Sequence, residues 1–239
     1  MNKLFNEKNG DITKEYENLK KHLNEIECQK YYLKQLTKIR GRKSIEIEKN
    51  VFEILKEIFV VVIKSIRNDY KQELLNIPKI PKNSEKNEEI EFSRNYYNKE
   101  NLVILRDIII LSQTYYYTMK NNNEKKFLVE EIKDNEIFKD MIFWKLMMDY
   151  LMEETVEEII HKKNIKLDKK AFNLKKKTVG YLGILSTIII MEDFGVSKEK
   201  AKEVVKSIFI QNYVSDQKKE LIYQQLEEQY KKKIENNNN

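Results

Sequence analysis

Five glycines and two prolines are few for a chain of 239 residues. All-β folds spend those residues on their turns, so the shortage argues against a sandwich or barrel. The single cysteine, Cys28, rules out an internal disulfide and suits a reducing compartment. Only two histidines, His22 and His161, are available for catalysis or metal binding. Tryptophan occurs once, at Trp144, and alanine only at Ala171 and Ala201. The sequence holds no glycine-rich phosphate loop and no glycine-flanked serine elbow. No apolar leader opens it. Its longest uncharged apolar run, Thr178 to Met191, has 14 residues, too few to span a bilayer. Together these absences predict an all-α protein of the cytoplasm.

What is abundant fits that class. Apolar residues make up 41% of the chain, enough for a core. Lys, Asn, Ile, Tyr and Glu dominate, the usage that A/T-rich codons favour. The net charge of +6 therefore carries little weight, and 45 basic against 39 acidic residues give a mixed surface.

Periodicity predicts about eight helices in one multi-helix domain over residues 13–235, an irregular bundle or a short α-solenoid-like stack. Residues 1–12 read as a disordered start and 236–239 as an asparagine tail. Tyr16, Leu19, Leu23, Ile26 and Leu33 form a narrow seam on a helix from Thr13 to Ile39, broken by Gly41. Ile47, Val51, Ile54, Leu55, Ile58, Phe59, Val62 and Ile66 form a broad stripe on a helix over 45–75, with Ser44 as its N-cap. Residues 76–100 hold both prolines and a polar run, and read as a mobile linker.

Asn98 caps the next helix, which extends to Met119 and puts Ser112, Tyr115 and Tyr116 on its inner side. A turn at Asn121–Asn123 and a short helix bearing Phe127, Leu128 and Ile132 follow. Asn135 caps a turn holding Ile137 and Phe138. A helix from Asp140 to His161 carries Phe143, Trp144, Met147, Met148, Leu151, Met152, Val156, Ile159 and Ile160. After a lysine-rich loop comes the apolar helix ending at Phe194, with Gly195 in the left-handed position. Ser197 and Ser215 cap the last two helices. The first turns Val204, Val205, Ile208 and Phe209 inward, and the second carries Leu221, Ile222, Leu226 and Tyr230 on one side.

Candidate chemistry is thin. Glu158 and His161 have the spacing that places two metal ligands on one helical face, but a di-metal bundle needs a second such pair. The residue three before His22 is Leu19, so no metal site is expected, and no cofactor. Two histidines and a polar-flanked Cys28 assemble no nucleophile–base pair, so no enzyme is expected either. Ser112 is expected to bond back to the helix carbonyl four residues earlier, and Gln113 to tie two helices. Residues 162–177 contain eight lysines: Lys162, Lys163, Lys166, Lys169, Lys170, Lys175, Lys176 and Lys177. The first reading of this stretch is a solvated loop. The second is contact with an anionic membrane surface. Aromatics are not interleaved with the lysines, Phe172 being the exception, which argues against nucleic acid.

One stretch resembles a family. Leu111-Ser112-Gln113-Thr114-Tyr115-Tyr116, Phe127-Leu128 with Glu130 and Ile132, Ile137-Phe138-Lys139-Asp140, and Phe143-Trp144 resemble the helical domain of the SET-binding factors, which are myotubularin-related pseudophosphatases. That family's pattern is an apolar helix ending Leu-Ser-Gln-Thr-Phe-Tyr, a short Tyr-Leu-x-Glu helix, then Ile-Trp-Lys-Asp before Phe-Trp. Phe138 stands here where the first Trp is usual, and Glu136 where Pro is common. The match covers residues 102–146.

In the family this domain lies beside modules for Rab GTPase exchange and lipid binding. None of those modules is visible here, so exchange and phosphatase activity do not carry over. The resemblance implies a non-catalytic scaffold in membrane trafficking or small-GTPase signalling. Its partner would be a protein, with Tyr115, Tyr116 and Trp144 as the candidate contact residues.

Overall fold

The computed structural model describes residues 12–41, 43–75, 98–164, 166–212 and 214–237. The fold is all-α, and among the described residues it carries one three-stranded sheet of short strands. The expected single domain over 13–235 resolves into two compact units, Met1–Ile137 and Phe138–Asn239. The expected linker lies outside the described residues apart from 98–100. Residue 98 is a helix cap and 99–100 begin that helix. The expected disordered start and asparagine tail also lie outside, except that 12 and 236–237 are helical.

The first unit begins with α1 (Ile12–His22) and α2 (Ile26–Arg40). The apolar seam predicts one continuous helix here. It breaks after His22, and Gln29 Nε2 closes the break by donating to the Leu23 carbonyl at 2.6 Å. Leu23, Leu33 and Leu36 are fully buried. Gly41 ends α2 with a positive φ of 59°, a conformation that costs glycine little.

The strand β1 (Ile45–Glu46) follows, so the helix expected from Ile45 starts later, as α3 (Lys49–Leu75), and Ser44 does not cap it. The apolar stripe of α3 forms core, with Phe52, Leu55, Ile58, Phe59, Val62 and Ile63 buried.

Asn98 caps α4 (Lys99–Ser112), accepting from the Asn101 amide at 2.8 Å. The helix stops seven residues earlier than its apolar pattern suggests. Ser112 Oγ donates to the Ile109 carbonyl at 2.8 Å, and Thr114 Oγ1 reaches the carbonyls of Ile110 and Leu111, each at 3.0 Å. Hydroxyls thus take over the last carbonyls of the ladder. Three tyrosines and a threonine, all good strand formers, then make β2 (Tyr115–Thr118).

β2 pairs parallel to β1, with Ile45 opposite Tyr115. It pairs antiparallel to β3 (Lys125–Phe127), with Tyr116 opposite Phe127. The turn at Asn121–Asn123 is present, and Asn123 takes a φ of 57°. α5 (Val129–Ile132) closes the unit.

A 3₁₀ turn over Glu136–Lys139 leads into the second unit, with Asn135 Oδ1 accepting from the Ile137 amide at 3.3 Å. Asp140 caps α6 (Met141–Lys162) through the Ile142 amide at 2.8 Å. The helices α7 (Lys169–Val179), α8 (Tyr181–Asp193), α9 (Lys198–Asn212) and α10 (Asp216–Asn237) complete a bundle. The lysine-rich stretch expected as a loop is therefore helical from Lys169, capped by Asp168 on the Ala171 amide at 2.7 Å.

α8 is the hub, packing on α6, α7, α9 and α10. It approaches α6 so closely that a Cβ at Gly183 would lie 2.7 Å from backbone atoms of Leu151 and Met152. Gly195 follows the end of α8 at a φ of 72°. The inward residues of α9 are buried as expected. On α10 Ile222 and Leu226 are buried, whereas Leu221 turns outward.

Candidate functional site

The three residues proposed as partner contacts do not form one surface. Tyr115 is fully buried in the first unit, and its hydroxyl donates to the Leu36 carbonyl at 2.9 Å. Burial pushes that hydroxyl's pKa up to about 12. Tyr116 is half-buried, tilted against Phe127 with ring centroids 5.1 Å apart, and Lys125 sits over its ring. Trp144 is fully buried in the second unit. Its Nε1 donates to the Phe138 carbonyl at 2.7 Å, and Phe138, Phe143 and Phe194 surround it with centroids 4.9–6.3 Å away. Tyr115 and Trp144 are core residues, a correction to their assignment as contacts. The aromatic signature they belong to is a folding signature, because each buried ring carries a polar tip bonded to a backbone carbonyl.

The lysines divide in two. Lys176 is 8% exposed, with Nζ 2.8 Å from Asp149 Oδ1 and 3.0 Å from Glu153 Oε1. It fastens α7 to α6 and is removed from the set of surface contacts. Lys162, Lys163, Lys166, Lys169 and Lys170 are exposed and Lys175 is half-exposed, while the side chain of Lys177 lies outside the described residues. Leu174, in their midst, is 67% exposed.

Glu158 and His161 stand on the last two turns of α6, and Glu158 pairs with Lys162 at 3.2 Å. Among the described residues no three His, Cys, Asp or Glu side chains gather as a metal site would need. His161 instead lines a cavity of about 560 Å³ with Glu157, Lys166, Leu167 and Phe172. In the first unit a broader groove of about 970 Å³ runs between residues 46–50 and 117–121. Burial raises the pKa of the Cys28 thiol, with the charge of Glu25 adding to it, so Cys28 is disfavoured as a thiolate.

One further surface is not signalled by any motif. α8 and α10 run side by side in the same direction. Lys218 Nζ lies 5.3 Å above the Tyr181 ring at their starts, and Gln229 Nε2 reaches Glu192 Oε2 at 3.2 Å further on. Phe209 meets Tyr223 edge to face, which fixes the side of α10 that faces α9. At 100° per residue, Leu182 and Ile189 of α8 and Leu221 of α10 then share the side away from α9. They are 43%, 47% and 41% exposed. Leu185, half-buried, lies between them, and Ser186 turns its hydroxyl back to the Leu182 carbonyl at 3.0 Å. The result is an apolar strip along the seam of two parallel helices.

No helix among the described residues is long and apolar enough to cross a membrane. Compared with known proteins, the chain matches no family model, no curated protein and no solved structure.

Proposed function

We propose that this protein is a non-catalytic helical scaffold that binds a protein partner on the seam between α8 and α10. The observation that carries the reading is the strip of exposed Leu182 and Ile189 on α8, the helix around which the second unit is built, and Leu221 on the neighbouring α10. Apolar residues at the spacing of Leu182, Leu185 and Ile189 suit an amphipathic helix laying its own apolar stripe along them. A strip mounted on packed helices is also preorganised, so little ordering cost falls on this side of the interface. The resemblance of residues 102–146 to the SET-binding factor helical domain directs the search for that partner toward membrane-trafficking and small-GTPase proteins.

The test compares the intact protein with a Leu182→Arg/Ile189→Arg variant in binding to purified candidates from those classes. The reading expects a partner held by the parent and released by the variant, with melting unchanged. A partner that binds both proteins equally, or candidates that bind neither, would overturn it.

A further inference from the structure

We propose that α7 docks on an anionic lipid surface, with Leu174 entering the headgroup layer and the neighbouring lysines facing the lipid phosphates and carboxylates. The orientation of α7 comes from Lys176, whose buried ammonium is held by Asp149 and Glu153 of α6. Leu174 lies two residues away, or 200° around the helix, and so points to the opposite side. That side is open, because Leu174 is 67% exposed. Lys170, one turn earlier, shares it, and Lys166, just before the helix, is exposed. The one acid of the segment, Asp168, is engaged as the N-cap. Lys169 and Lys170 stand at the positive end of the helix dipole, where an anionic surface relieves their repulsion.

Leucine in this ring of lysines decides between polyanions. A nucleic acid gains from stacked aromatics and from the planar fork of arginine, and the exposed side of α7 offers neither. An interfacial layer gains from an aliphatic side chain with basic residues beside it. The lysines supply long-range attraction and Leu174 supplies the anchor.

The experiment is flotation of the intact protein with vesicles of phosphatidylcholine alone or mixed with phosphatidylserine. Binding is expected only to the mixed vesicles and falls as salt is added. Lys170→Gln is expected to weaken it about fivefold. Leu174→Ser is expected to weaken it about tenfold without changing melting. Lys200→Gln, an exposed lysine on α9, is the control and leaves binding unchanged.

Equal binding to neutral vesicles would overturn the proposal, as would absence of flotation or an unaffected Leu174→Ser variant. A loss at Lys200 equal to that at Lys170 would reduce the effect to diffuse charge and also overturn it. Nucleic acid or an acidic protein binding with the same lysine dependence, in place of vesicles, would assign α7 to another partner. These variants leave Leu182 and Ile189 in place, so failure here and failure of the protein-scaffold reading are separately visible.

Discussion

The ties that define the first unit are polar and directed, whereas those of the second are aromatic and depend on close approach. In the first, Tyr115 reaches across to the Leu36 carbonyl, Tyr16 donates to Glu57 at 2.6 Å, and strand pairing joins Ile45 to Tyr115. Glu131 adds a bridge between Lys126, at 2.5 Å, and Lys56, at 3.7 Å. In the second, three phenylalanine rings close around Trp144 and the missing side chain of Gly183 lets α8 sit against α6. Hydrogen bonds select a register but add little net stability each, while packed rings add more and tolerate less change of volume. A register matters where a two-residue strand must find its partner many residues away. Volume matters where a hub helix touches four others.

Trp144→Ala should cost the second unit roughly 3–5 kcal/mol, since it opens a cavity among three phenylalanines and orphans the Phe138 carbonyl. Thermal melting checks this, and an unchanged melt would mean that the aromatic cluster does not support the unit.

Tyr115→Phe should cost the first unit about 1–2 kcal/mol, because it keeps the ring and removes the hydrogen bond from the buried hydroxyl to the Leu36 carbonyl. A loss as large as that of Trp144→Ala would erase the distinction drawn between the two units.

The smallest effect is tied to pH. The hydrogen bond from Lys126 holds the Glu131 carboxyl below the ordinary carboxylate range. The folded state therefore binds fewer protons than the unfolded chain in mild acid. The resulting stability is present above the ordinary carboxylate pKa and is lost as pH falls through the lowered one. Glu131→Gln should cost about 0.5–1 kcal/mol at neutral pH and progressively less in acid. Urea melts at several pH values would read this, and a difference that persists in acid would contradict it.

Much of this architecture is written locally in the sequence. Asn98, Asp140 and Gly195 sit at helix ends because a short polar side chain or a left-handed backbone is needed there, and each was readable from its type and place. The failures have equally local causes. Tyr115 and Tyr116 continue the helical spacing of Leu105, Ile108 and Ile109, so periodicity alone carried the helix through them. The run of three tyrosines before Thr118, and the hydroxyls of Ser112 and Thr114, were the competing signal. The break after His22 contains neither glycine nor proline, and depends on Gln29, six residues beyond Leu23.

Asp168 marked the start of α7, but eight lysines in 16 residues masked it. The apolar strip was hidden differently. A helix as apolar as α8 reads as buried on every side, and only its parallel neighbour α10 determines which residues stay outside. The contact residues taken from the aromatic signature failed for a related reason, since Tyr115 and Trp144 reach the carbonyls that hold them only in the folded chain.

Because Trp144 is the only indole in the protein, its fluorescence is a private signal of the second unit. Enclosed by Phe138, Phe143 and Phe194 and bonded to a carbonyl, it should emit to the blue when that unit is folded and shift red when it opens. Loss of helical circular dichroism, by contrast, sums over both units. If the two signals are followed in one denaturant titration, the gap between their midpoints measures how far either unit can lose its structure while the other keeps it.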